Sequence, residues 1–113
     1  MVRSGTSYKL AVTDSTRSGD SFSTTQSCSG CANSSAEWIA EAPSSATSIY
    51  PLADFHSWTQ WGATVKTGSK SGVISSFPDD QITMVDGSGN VEARAAALNP
   101  VGKAFYVGWW RST

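Results

Sequence analysis

The sequence predicts an all-β domain, an antiparallel β-sandwich spanning residues 1–113. Three observations carry this. Apolar residues recur with period two in short runs. Clusters of Gly, Pro, Asp, Asn and Ser interrupt those runs roughly every eight to twelve residues, the spacing of an antiparallel sandwich. No internal repeat and no linker divides the chain, and 113 residues suit one domain with a modest core.

Tyr8 to Thr13 alternates, with Tyr8, Leu10 and Val12 on one face. Asp14 to Asp20 is turn chemistry, Gly19 supplying a positive φ. Ser21 to Ser27 resumes as the second strand of an antiparallel hairpin. A Cys-containing turn leads into a strand over Ser34 to Pro43. Ser44 to Tyr50 is a small-residue loop, and such loops carry binding functions on rigid β scaffolds. Ser57 to Lys66 reads as a strand, Thr67 to Gly72 as a turn, Val73 to Phe77 as a short strand and Gln81 to Val85 as another. Asp86-Gly87-Ser88-Gly89-Asn90 is the best hairpin loop in the chain. Val91 to Leu98 has helical propensity yet follows that loop and stops at Asn99-Pro100; a strand running into a loop is the reading taken. Ala104 to Trp110 closes the chain as a strand with Phe105, Val107 and Trp109 facing one way.

Charged residues make up 15% of the chain, against roughly 25% in an average soluble domain, and the net charge is -1. The eight Lys and Arg are scattered, so no nucleic-acid partner is expected. No apolar run is long enough to span a bilayer, and no membrane partner is expected. Ser and Thr number 31, a richness found in secreted β-domains. Few carboxylates in ion pairs also means less stability lost on acidification. The start, Met1-Val2-Arg3-Ser4, has no apolar core of a signal peptide, which fits either a cytosolic protein or a mature piece carrying an added Met. Cys28 and Cys31 form a C-x-x-C. A zinc half-site lacks a second Cys pair, and His56 is the single histidine. A thioredoxin-like site lacks a βαβ pattern. A local disulfide shaping the turn is the reading preferred, and no metal or cofactor is expected.

The run Ser34-Ser35-Ala36-Glu37-Trp38-Ile39-Ala40-Glu41-Ala42-Pro43 embeds carboxylates in an apolar stretch. With period two, Glu37, Ile39 and Glu41 share one face, while Trp38, Ala40 and Ala42 share the core face. Pro43, which has no N–H for a ladder, ends the strand. Two readings of the acids are open on spacing alone. One is a solvated face. The other is a cleft carboxylate, which holds its proton more tightly beside apolar groups and becomes usable as an acid or base.

Ala36-Glu37-Trp38-Ile39-Ala40-Glu41, with Cys28 and Gly30 upstream, resembles the signature around the catalytic glutamate of the glutamic peptidases, or eqolisins. Leu52-Ala53-Asp54-Phe55, Ile82-Thr83-Met84 and Ala104 to Trp109 are similar to later parts of that family. The resemblance implies a concanavalin-like two-sheet sandwich whose concave sheet carries the active site. It implies that Glu37 acts as general base on a water and then as general acid to the leaving amine, at acid pH. Ile39 would line a substrate subsite, and Glu41 would be structural. The family pairs its glutamate with a glutamine that holds the water and stabilises the oxyanion. Gln26, Gln60 and Gln81 do not stand in that glutamine motif, and the chain corresponds to the C-terminal half of the family's domain. The expectations are therefore a protein or peptide substrate, weak or no activity from the chain alone, secretion, and completion by self-association or by a complementary N-terminal half.

A reading of another class is a non-catalytic carbohydrate- or polymer-binding module. Trp38 and Trp109 read as core, whereas Trp58, Trp61 and Trp110 are open to stacking on sugar rings. His56 reads as a surface histidine; a Ser-His-Asp arrangement with Asp54 can be written down, but 20 serines make it unspecific.

Overall fold

A computed structural model describes residues 1–17 and 19–112. Among them are nine β-strands, one single-turn 3-10 helix and no α-helix, and every strand pairing is antiparallel. The expected all-β antiparallel class is what the chain has. Its contacts divide it into two compact units, residues 1–35 and 36–113.

The first unit is one three-stranded sheet, β1 (Val2–Ser4), β2 (Ser7–Thr13) and β3 (Ser21–Ser27), in that order. The β2–β3 hairpin runs in unbroken register from Ser7↔Ser27 to Thr13↔Ser21. Local turn chemistry explains this. The Asp14 carboxylate accepts from the Thr16 hydroxyl and the Thr16 N–H, and these bonds hold it below its usual pKa. Gly19 has φ +96°, as its position in the turn demands. Ser18, inside the expected Asp14–Asp20 turn, lies outside the described residues. Tyr8 is buried, while Leu10, Val12 and Phe22 are exposed. Cys28 and Cys31 are joined by a disulfide, as expected. The turn they span is also tied by hydrogen bonds. The Cys28 N–H donates to the Thr6 carbonyl, the Tyr8 hydroxyl to Asn33 Oδ1 at 2.7 Å, and Asn33 Nδ2 to the Cys31 carbonyl at 2.7 Å.

The second unit carries a four-stranded sheet and a separate hairpin. The sheet has the order β4 (Ser57–Gln60), β9 (Phe105–Trp109), β8 (Val91–Ala95), β7 (Thr83–Val85); the hairpin is β5 (Thr64–Thr67) with β6 (Lys70–Val73). The strand expected over Ser57 to Lys66 is two strands, because Gly62 turns the backbone at φ +66°. Val73 to Phe77 is not a strand: Ile74–Ser76 forms the 3-10 turn, closed by the Phe77 N–H on the Ile74 carbonyl. Val91 to Leu98 runs as a strand into a loop, as read from sequence. Pairing to both neighbours outweighs the helical propensity of its alanines.

Asp86 organises the β7–β8 loop. Its carboxylate accepts from the Ser88 N–H and from the N–H and side-chain amide of Asn90. The Asn90 amide first, then its N–H, hold Asp86 below its usual pKa. Between Met84 and Val85 the register slips, pairing Met84 with Ala93 and Val85 with Val91. Glu92 is the extra residue of that β-bulge. One face of the sheet is apolar, built on buried Leu52, Ala93 and Val107 with Ala40, Ala42, Phe55, Trp58, Met84, Phe105 and Trp109 around them.

The β8–β9 connection closes on Asn99, whose side-chain oxygen accepts from the Lys103 and Ala104 N–H groups. Gly102 there is buried, has φ +68° and donates its N–H to the Asn99 carbonyl. A Cβ at this position would collide with the Ser75 side chain. Gly102→Ala is therefore expected to destabilise the chain by about 2 kcal/mol or more, from strained backbone and steric overlap together. Chemical denaturation reads this directly, and an unchanged midpoint would contradict the described turn.

Candidate active site

Residues 34–43 do not form the expected strand. From Cys31 to Pro43 no residue belongs to a sheet, and the first pairing is an isolated bridge of Ser44 to Ile49, with the Tyr50 N–H donating to the Pro43 carbonyl. The facing that sequence predicts is nevertheless present. Trp38, Ala40 and Ala42 are half-buried, whereas Glu37, Ile39 and Glu41 are exposed. Ala40 and Ala42 pack against the Leu52–Ala93–Val107 cluster, so they anchor the segment. Alternation needs extended backbone and a surface to lie on. It does not need a ladder, and this is why period two reads the faces correctly and the strand incorrectly.

Trp38 is half-buried but stands outside the cluster that the two alanines join. Ile39 is 43% exposed, which leaves its side chain available to a ligand. Two cavities of the second unit lie elsewhere than at Glu37. One, of about 430 Å³, is bounded by Gln81, Arg94, Tyr106 and Trp110 among others. The other, of about 260 Å³, lies beside Glu92. Glu37 is an exposed residue on a segment anchored by Ala40 and Ala42.

The Leu52 to Phe55 turn that follows is tied to the same core. Leu52 is buried, Phe55 packs on the cluster, and Trp109 Nε1 donates to the Leu52 carbonyl. Asp54 Oδ1 accepts from the His56 N–H at 2.7 Å and lies 3.2 Å from His56 Nδ1. His56 has φ +54°, rare for a residue with a Cβ, and Asp54 holds it there. The His56 side chain is 90% exposed, which matches a surface histidine.

Each glutamine amide already donates to a nearby group. Gln26 donates to the Thr24 hydroxyl, Gln60 to the Trp61 carbonyl and Gln81 to the Ala96 carbonyl. Among the described residues no group of three or more His, Cys, Asp and Glu could hold a metal ion. Trp58, read as open to sugar stacking, belongs to the core, tilted against Phe105 with ring centroids 6.3 Å apart. Trp61 and Trp110 are exposed. Glu92, a buried acid at the bulge, was not visible as a site residue in the sequence. A bulge breaks the period from which burial is read.

The model of the Peptidase A4 family matches residues 2–100 of the chain. No curated protein and no solved structure matches it.

The facing of residues 37–42 can be tested by stability. Ala40→Asp sets a charge against the apolar cluster and is expected to cost about 1–3 kcal/mol. Ile39→Ser, on the outward face, should stay within about 0.5 kcal/mol of the parent chain. Equal losses for the two in urea denaturation would contradict the anchored arrangement.

Proposed function

The chain belongs to the Peptidase A4 family, and from that premise we propose that it is a peptide-hydrolase domain in which Glu37 is the acid–base residue. The observation that supports this most is the Ala36 to Glu41 run, lying inside the matched residues, with its inward alanines fixed to the core and Glu37 and Ile39 turned outward. Glu37 takes a proton from a water, and the hydroxide attacks the peptide carbonyl carbon. The C–N bond then breaks, and the carboxyl group returns the proton to the amine. The proton that Glu37 returns is the one it took from the water, so the cycle starts and ends with the carboxylate, and the acid working range implied by the family resemblance is kept as part of the proposal. Ile39, two residues on and facing the same way, contacts the substrate beside the scissile bond.

The oxyanion needs a donor, and one such group is worth on the order of 3 kcal/mol. Gln26, Gln60 and Gln81 are engaged with local acceptors. The reading therefore includes a complementary half that brings the family's glutamine, and weak hydrolysis by this chain alone. Exposed Leu10, Val12 and Phe22 on the β1–β2–β3 sheet are an apolar stripe suited to such a partner or to a second copy. Secretion fits the Cys28–Cys31 disulfide, and no helix among the described residues is long and apolar enough to cross a membrane.

Cleavage of denatured casein in acid by the purified chain tests the assignment. Slow turnover is expected, reduced about 100-fold or more by Glu37→Gln, the scale of a lost acid–base group. Turnover indifferent to Glu37→Gln would remove Glu37 from the mechanism.

A second reading, a polymer-binding module, draws on the 430 Å³ cavity, where exposed Tyr106 and Trp110 stand with Arg94 and Gln81. Retention on insoluble polysaccharide that Trp110→Ala abolishes and Glu37→Gln leaves intact would favour the module. No retention would leave the peptidase reading alone.

A further inference from the structure

The mechanism above makes no use of Glu92. It is 4% exposed and is the single buried charged residue among those described. Its carbonyl accepts from the Trp110 and Arg111 N–H groups, but its carboxyl group has no hydrogen-bond or ion-pair partner among the described residues. A carboxyl group on so buried a residue is satisfied either by a protein partner or by what fills the space its oxygens reach. Among the described residues no side-chain oxygen sealed from solvent lacks a partner, so the Glu92 oxygens reach solvent, and Glu92 lines the adjoining cavity.

That cavity holds about 260 Å³ and is lined by Ile49, Val85, Asp86, Gly87 and Glu92. It is smaller than the roughly 300–1,000 Å³ of a drug-sized site, so its occupant has the size of a side chain. Ile49 and Val85 offer apolar wall. Asp86 adds negative field but few free lone pairs, because its oxygens already accept three hydrogen bonds. One uncommitted carboxyl group is too few ligands for calcium, which takes about 6–8 oxygens. A guanidinium fork needs both carboxylate oxygens presented side by side, whereas an ammonium is a compact point charge that needs only one, and ethylguanidinium is therefore the competitor that separates the two. Arg111, whose charge is felt at Asp86, makes no ion pair with either acid.

We propose that the cavity beside Glu92 is a receptor for a primary ammonium group on a short apolar stem, the chemistry of a lysine side chain. The stem lies along Ile49 and Val85, and the ammonium donates to Glu92. This site stands independently of the role of Glu37.

Amide correlation spectra of the full chain at neutral pH, titrated with n-butylammonium, test it. Saturable shifts are expected at Val85, Gly87 and Glu92, with affinity about tenfold or more weaker in Glu92→Gln, which keeps the shape and removes the charge. 1-Butanol, of the same length and neutral, should neither shift these amides nor compete. That comparison decides the matter on the parent chain should Glu92→Gln fail to fold. Absence of saturable shifts, equal binding by Glu92→Gln, equal response to 1-butanol, or displacement of the amine by calcium or ethylguanidinium at lower concentration would each overturn the proposal.

Discussion

The contact of Ala40 and Ala42 with the Leu52–Ala93–Val107 cluster is the constraint on which the functional arrangement depends. It joins three parts of the second unit: the Glu37 segment, the Leu52 turn and the two central strands β8 and β9. Residues 36–43 belong to no strand, so no ladder fixes which way their side chains point. Two small apolar side chains set the facing instead, and a two-residue period then sends Glu37, Ile39 and Glu41 outward. The segment that carries the acid is thus held to the core by the packing of its alanines.

Legibility in the sequence followed the range of the interactions. The β2–β3 hairpin and the Asp86 loop were readable because Asp14, Gly19, Asp86 and Asn90 act within their own turns. The faces of β9 were readable because Phe105, Val107 and Trp109 alternate over a full strand. What was not readable depends on distant partners. Whether Ser34 to Pro43 finds a neighbouring strand cannot be seen in its own residues. The same holds for Trp58, whose place in the core is decided by Phe105, more than forty residues away. The three-residue β1 is too short to show a period, and its pairing comes from β2.

The site was legible in part for the same reason. The Ala36 to Glu41 run lies inside the residues that the family model matches, and the outward facing of Glu37 follows from its own two-residue period, a local feature. The surroundings of that acid are not local. Glu92 is the opposite case: Val91 to Leu98 alternates poorly, and only the slip between Met84 and Val85 turns a charged residue inward.

The Cys28 turn carries two kinds of restraint. The bond between the sulfurs closes a loop of only a few residues, and so removes little freedom from the unfolded chain. The bonds from Cys28 to Thr6 and from Tyr8 through Asn33 to Cys31 hold the same bend with ordinary amide and hydroxyl groups. The bend is thus held twice over, once by sulfur and once by groups that carry none.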